Sequence, residues 1–206
     1  MAEPSQVIEV SPWFPVETVH ITPALLKLYQ PKKSISVIIT NWCRTEWLPS
    51  VLESIYSQNF PDNMLEIIIV DDNSQDNIIQ VVSDFSAVTH HDNISLYQTH
   101  KNITYNITLA ANIGIKRAKN DLIIINPSDC WQLGKYLHFA SVFFTARDGL
   151  PYALSGFILS ELLPRTNPVS NYLPITDVGM ITQRENLLKI HGYDEQFYGW
   201  GSNDTD

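Results

Sequence analysis

The chain has 206 residues, 44% of them hydrophobic, with 13 Lys and Arg against 22 Asp and Glu and a formal charge of −9. That length supports one sizeable core, and the charge disfavours nonspecific binding to nucleic acid or to an anionic membrane surface. An anionic ligand therefore needs local help from a metal ion or from backbone amides. No stretch reaches the ~18 apolar residues of a membrane helix, and residues 1–30 lack the basic start and apolar run of a signal peptide.

In chain order, residues 1–33 are punctuated by Pro4, Pro12, Pro15, Pro23 and Pro31 and read as an extended arm, with a short helix over 24–29. Residues 34–206 read as one domain. The β-branched run 35–40 predicts a buried strand, and apolar residues at helical spacing (Trp47, Val51, Leu52, Ile55) predict a helix over 46–58. A second strand follows over 65–70, a helix over 76–85, a strand over 94–98, a helix over 106–118 and a strand over 122–125. Beyond Trp131 the pattern predicts a helix over 134–146, a strand over 152–160, a proline-containing loop over 163–175, a strand over 177–182 and a short helix over 184–190. Alternating strands and helices imply an α/β fold with a mostly parallel central sheet and helices on both faces.

Polar residues gather just after three of the strands: Asn41, Trp42 and Arg44 after the first, 71–76 after the second, and 126–129 after the fourth. The carboxyl ends of strands in an open parallel sheet form the ligand crevice, so these clusters are expected to converge on one site. Asp71 and Asp72 point to opposite faces if the strand continues, so at most one of them meets a given ligand while the other tethers the loop backbone. A plainer reading is equally open, in which Asp72-Asn73-Ser74 turns the chain and caps the next helix. Asp129 is either a turn residue or a single oxygen ligand for Mn2+ or Mg2+, which take few protein ligands when phosphate and water supply the rest. Trp42 is either a core plug or a stacking platform for a flat ring. His20, His90 and His91 have no partner at metal-ligand spacing, and Cys43 and Cys130 read as reduced thiols of a cytosolic protein.

The last segment, Gly192-Tyr193-Asp194-Glu195-Gln196-Phe197-Tyr198-Gly199-Trp200-Gly201-Ser202-Asn203-Asp204-Thr205-Asp206, combines glycine, aromatic rings and acids, a composition suited to a binding loop. Its position at the terminus reads as the front part of a longer protein, with any membrane association residing in the full-length form.

Taken together, Ser36-Val37-Ile38-Ile39-Thr40-Asn41-Trp42-Cys43-Arg44, Ile69-Val70-Asp71-Asp72-Asn73-Ser74-Gln75-Asp76, Ala111-Asn112-Ile113-Gly114 and Asn126-Pro127-Ser128-Asp129-Cys130 resemble the family 2 inverting glycosyltransferases of the Rossmann-like GT-A fold. The tail, with Gly199-Trp200-Gly201-Ser202-Asn203-Asp204, is similar to the acceptor-side motif shared with the β-galactosyltransferase group. The resemblance covers residues 34–206. It implies that Thr40, Trp42 and Asp72, with Arg44 and Asn112, hold the nucleotide of a sugar donor, a UDP-sugar. It also implies that Asp129 is the metal-binding acid of an Asp-x-Asp motif, for Mn2+ or Mg2+, and that Asp204 is the catalytic base. Gly199, Trp200, Gly201 and Asn203 then shape the sugar and acceptor pockets for a carbohydrate or glycoconjugate. Pro127 replaces the first acid of Asp-x-Asp, Ala111 replaces the usual arginine and Asn203 replaces the acid before the base; these departures bear on metal affinity and donor-phosphate contacts. A noncatalytic nucleotide-sugar-binding module is the alternative they raise. An oxidoreductase lacks its Gly-x-Gly-x-x-Gly after the first strand, and a nucleotidyltransferase lacks a glycine-rich phosphate cradle with a lysine.

Overall fold

The computed structural model describes residues 30–100, 105–132, 134–146, 153–154 and 180–197. Strands β1 (Ile35–Asn41), β2 (Leu65–Asp71), β3 (Ile94–Gln98), β4 (Leu122–Pro127), β5 (Ala153–Leu154) and β6 (Met180–Gln183) form one six-stranded sheet in the order β3-β2-β1-β4-β6-β5. The β3-β2-β1-β4 part is parallel, and β6 runs antiparallel to both β4 and β5. The expected mostly parallel α/β architecture is therefore present. The predicted strand over 152–160 is described only at β5, and the expectations for 24–29 and 163–175 fall outside the described residues.

The parallel strands form because they are continuous Ile/Val runs that can be buried on both faces. All seven residues of β1 are buried, and alternate residues feed separate cores. Ile35, Val37 and Ile39 pack with helices α1 (Leu48–Tyr56), α2 (Ile78–Thr89) and α4 (Tyr136–Ala146), through Leu52, Ile55, Ile78, Leu137 and Phe144. Ile38, Ile68, Val70 and Ile123 pack on the opposite face with α3 (Ile107–Arg117) and α5 (Arg184–Lys189), through Ala110, Ala111, Ile115 and Leu187. A Cβ on Gly114 would lie 2.3 Å from Ile38 Cγ2, so this glycine lets α3 sit directly on β1.

Local chemistry sets the helix ends. The helix expected over 46–58 opens as a 3-10 turn, Thr45–Trp47, before α1, where Pro49 occupies the first helical turn and needs no N–H partner. Asn77 caps α2 by accepting from Gln80 N (3.4 Å), so the cap is Asn77 and not the 72–74 turn. Asn106 caps α3 by accepting from Leu109 N at 2.8 Å. Residues 32 and 33 donate backbone N–H groups to Ser141 Oγ (3.1 and 3.0 Å), which ties the end of the proline-rich arm to α4.

Candidate active site

The parallel register brings the ends of β1, β2 and β4 side by side, with Asn41 opposite Asp71 and Thr40 opposite Pro127. Backbone bonds carry this alignment past the strands: Asp72 N donates to Asn41 O at 2.9 Å and Ser128 N to Thr40 O at 3.0 Å. All three polar clusters of the sequence thus meet at one edge of the sheet.

Strand alternation separates the two acids of β2. Asp71 belongs to the α1/α2 face, where its carboxylate accepts from Asn41 Nδ2 (2.8 Å), Gln98 Nε2 (3.2 Å), Ser74 N (3.2 Å) and Ser74 Oγ. Ser74 Oγ also accepts from Cys43 N (2.8 Å), and Asp76 accepts from Thr45 N (3.0 Å), so the loops after β1 and β2 form one bonded unit. Asn73 holds the tight turn with a φ of 57°, a conformation that asparagine tolerates better than most residues. Asp71 therefore has the tethering role expected of one of the pair.

Asp72 lies on the α3 face. Its carboxylate accepts from Thr99 Oγ1 (2.8 Å) and from Asn106 N (2.6 Å). Thr40 and Trp42 lie on the same face by alternation. Thr40 is 5% exposed, and its Oγ1 has no hydrogen-bond partner among the described residues. A buried hydroxyl without a partner is costly to the fold. Trp42 stacks against Tyr105, with ring centroids 4.8 Å apart and planes tilted by 32°. That pairing places an aromatic wall beside Asp72, because Tyr105 immediately precedes Asn106.

At the end of β4, Asn126 turns the chain by donating to Pro127 O (2.9 Å) and Cys130 O (2.8 Å). Asp129 then forms an ion pair with Arg44, and both side chains are partly open to solvent, 30% and 39% exposed respectively. Trp131 donates to Ser50 Oγ (3.0 Å) and meets Trp47 edge-on, leaving two half-exposed indoles beside the ion pair. Among the described residues, no group of three or more His, Cys, Asp or Glu side chains converges on a cation position. Asp129 fits a cation only as a single carboxylate whose other ligands are phosphate and water, and Arg44 must yield part of that carboxylate.

Asn112 is buried and faces the tail. Its Oδ1 accepts from Tyr193 N (2.9 Å), while its Nδ2 donates to Tyr193 O (2.8 Å) and to Glu195 Oε1 (3.1 Å). Gly192 has φ +79°, and a Cβ there would lie 2.2 Å from Asn112 Oδ1. The two glycines of the Ala111–Gly114 and Gly192–Glu195 motifs thus serve close approach, one to β1 and one to the Asn112 amide. Gly199, Trp200, Gly201, Asn203 and Asp204 lie outside the described residues. Sequence reasoning missed Thr99, Tyr105 and Asn106; the only signal was an asparagine at the start of the predicted third helix.

A cavity of about 860 Å³ lies between α1 and α2, lined by Tyr56, Phe85, Val88 and His91 among others. It opens on the opposite face of the sheet from Thr40 and Asp72. His91 stacks on Tyr56 there, with ring centroids 3.5 Å apart.

The model of the family described as Glycosyl transferase family 2 matches residues 36–138, and that of the N-terminal domain of galactosyltransferase matches residues 168–206. A curated relative from Methanococcus voltae, a dolichyl N-acetyl-alpha-D-glucosaminyl phosphate 3-beta-D-2,3-diacetamido-2,3-dideoxy-beta-D-glucuronosyltransferase, is 31% identical over 91 residues. That alignment covers 44% of this chain and 27% of the relative. Among solved structures, mannosyltransferase PcManGT from Pyrobaculum calidifontis in complex with GDP-Man and Mn2+ has a TM-score of 0.66 at 16% identity, over 80% of this chain and 48% of its own. S. aureus TarS in complex with UDP-GlcNAc has a TM-score of 0.59 at 20% identity, over 80% and 49%. The chain thus spans about half the length of these structures, and the likeness to them is one of fold.

Proposed function

The chain belongs to glycosyl transferase family 2, and from that premise we propose that it transfers a sugar from a nucleotide diphosphate sugar, a UDP-sugar, to an acceptor hydroxyl with inversion at the anomeric carbon. The relatives with GDP-Man and UDP-GlcNAc in their complexes support this donor class. The observation that carries the reading is the convergence of Thr40, Trp42 and Asp72 on one face, at the same strand ends as Arg44 and Asp129.

In this reading the Thr40 hydroxyl and the Asp72 carboxylate bind the nucleoside, and Trp42 with Tyr105 forms a flat wall along the base. Asp129 holds a Mn2+ or Mg2+ ion, which supplies counter-charge to the departing diphosphate when bound. Arg44, released in part from Asp129, adds a guanidinium suited to phosphate oxygens. Asp204 accepts the proton of the acceptor hydroxyl, which requires a hydrogen bond of about 3 Å at the moment of attack. Gly199, Trp200, Gly201 and Asn203 shape the pockets for the sugar and for a carbohydrate or glycoconjugate acceptor. The setting is cytoplasmic synthesis of a polysaccharide or glycoconjugate.

A thermal-shift screen of UDP, GDP and dTDP sugars with and without Mn2+ tests the donor class. A ligand at one hundred times its Kd stabilises the fold by about 2.7 kcal/mol. UDP-sugars are expected to stabilise, and stabilisation by none of the nucleotides contradicts the proposal. Asp204→Asn is expected to abolish transfer and keep donor binding; unchanged turnover contradicts its role as base. Pro127 beside the Arg44–Asp129 pair favours one other reading, a module that binds nucleotide sugar without turnover. Binding by the full-length protein with no transfer to any acceptor and no donor hydrolysis would decide for it.

A further inference from the structure

The start of α3 is bonded to the donor-side acid in one direction and to the tail in the other. Asp72 Oδ2 accepts from Asn106 N at 2.6 Å, and Asn106 Nδ2 donates to Glu195 O at 3.0 Å. Asn106 Oδ1 is meanwhile occupied by Leu109 N (2.8 Å) and lies 2.7 Å from Thr108 Oγ1. The Thr108 hydroxyl also lies 3.1 Å from Phe197 O, and its one proton serves either acceptor. One turn further along α3, Asn112 spends its oxygen on Tyr193 N and its amide protons on Tyr193 O and Glu195 Oε1. Asn106, Thr108 and Asn112 are all buried, whereas Glu195 and Phe197 are exposed. The fixed partner is therefore the helix, and the clamped partner is the surface segment.

We propose that Asn106 and Asn112 are positioning residues that lock segment 193–197 onto α3, so that nucleotide binding at Asp72 is felt through Asn106 by the segment leading into the acceptor-side motif. The coupling rests on the nucleotide-sugar reading above, but the clamp itself does not. Side-chain amides suit this task because each presents a donor and an acceptor at a fixed spacing. Asn112 thereby matches the N–H and C=O of one peptide-bearing residue, Tyr193. Gly192 completes the lock, since any side chain there would push the Asn112 amide away. The bonds span 81 to 89 residues of sequence, so each holds the tail to the nucleotide half of the fold and not to its own neighbourhood. Segment 193–197 is followed in sequence by Gly199, Trp200 and Asp204, which joins the clamp to the proposed base along the chain. Under this assignment Asn112 acts on the acceptor side and does not itself touch the nucleotide.

Amide hydrogen exchange on the 206-residue chain, with UDP and Mn2+ as the probe, separates the claims. Without nucleotide, the Tyr193 amide is expected to exchange at least about tenfold faster in Asn112→Ala than in wild type, with β1 and β2 unchanged. Equal exchange in the two proteins overturns the clamp. Asn106→Ser keeps a capping oxygen and so keeps α3, but loses the amide that reaches Glu195. UDP is expected to slow exchange across 193–197 in wild type and to leave it unaltered in Asn106→Ser, while its Kd stays within about threefold. UDP that binds wild type without slowing 193–197, or slows it equally in Asn106→Ser, overturns the coupling alone. UDP that fails to bind wild type overturns the choice of a UDP-sugar as donor and the coupling to UDP with it, and leaves the clamp standing.

Discussion

The ends of β2 and β4 both carry acids, yet they hold them in opposite states. At β2, Asp71 and Asp72 are buried and surrounded by donors from Asn41, Ser74, Gln98, Thr99 and Asn106. At β4, Asp129 meets the Arg44 guanidinium and the Cys130 thiol and stays partly open to solvent. A carboxylate fixed by several neutral donors is preorganised and resists displacement, whereas one in a partly exposed ion pair can change partners at lower cost. The β2 end is thus the rigid one, which suits the nucleoside seat proposed there, and the β4 end is the exchangeable one.

Breaking the rigid end is expected to have the largest effect. Asp71→Ala removes the buried acceptor shared by Asn41, Gln98 and Ser74 and should lower stability by about 3 kcal/mol, read by urea unfolding. A loss below about 1 kcal/mol would remove the distinction between the two ends. Asp129→Asn should change stability by less than about 1 kcal/mol, because the pair it breaks is half-exposed. The same variant should lose Mn2+ binding measured by electron paramagnetic resonance in the presence of UDP; retained binding would move the metal site elsewhere.

The smallest expected effect lies below the β4 end, on α4. His138 sits edge-on to Phe60 with ring centroids 5.2 Å apart, and burial, then the nearby Lys135 charge, lowers its pKa. A histidine whose folded pKa is depressed binds fewer protons than in the unfolded chain, so its neutral form favours the fold above the unfolded pKa of about 6.5. That contribution falls as pH drops through 6.5 toward the folded pKa. His138→Phe should therefore lose slightly less thermal stability than wild type between pH 7.5 and pH 5, and an identical pH profile would contradict the assignment.

The parallel strands were legible because burial on both faces demands uninterrupted Ile and Val, and β1 through β4 carry such runs or their alternation. Helix α3 was legible to its caps, Asn106 and Ala118. The convergence of the strand-end clusters followed from strand direction alone. The pairings across the site were not legible. Arg44 with Asp129 and Asn112 with Tyr193 join distant parts of the chain, and such contacts arise from tertiary packing that no local pattern encodes. Position 72 illustrates the limit. Alternation put Asp71 and Asp72 on opposite faces, but it did not reveal that Asp72 also anchors α3 through Asn106. The turn reading of 72–74 captured a real bend, while the cap of the next helix fell to Asn77.

The face shared by Thr40, Trp42 and Asp72 is central to the proposed nucleotide site, and Thr40→Val tests it most directly. Valine matches threonine in shape and removes a buried hydroxyl that has no partner among the described residues. Calorimetric titration with UDP and Mn2+ should show affinity reduced about tenfold, the equivalent of roughly 1.4 kcal/mol, with the fold as stable as wild type or more so. Unchanged UDP affinity, or a loss of stability with affinity intact, would contradict a nucleotide site at the ends of these strands.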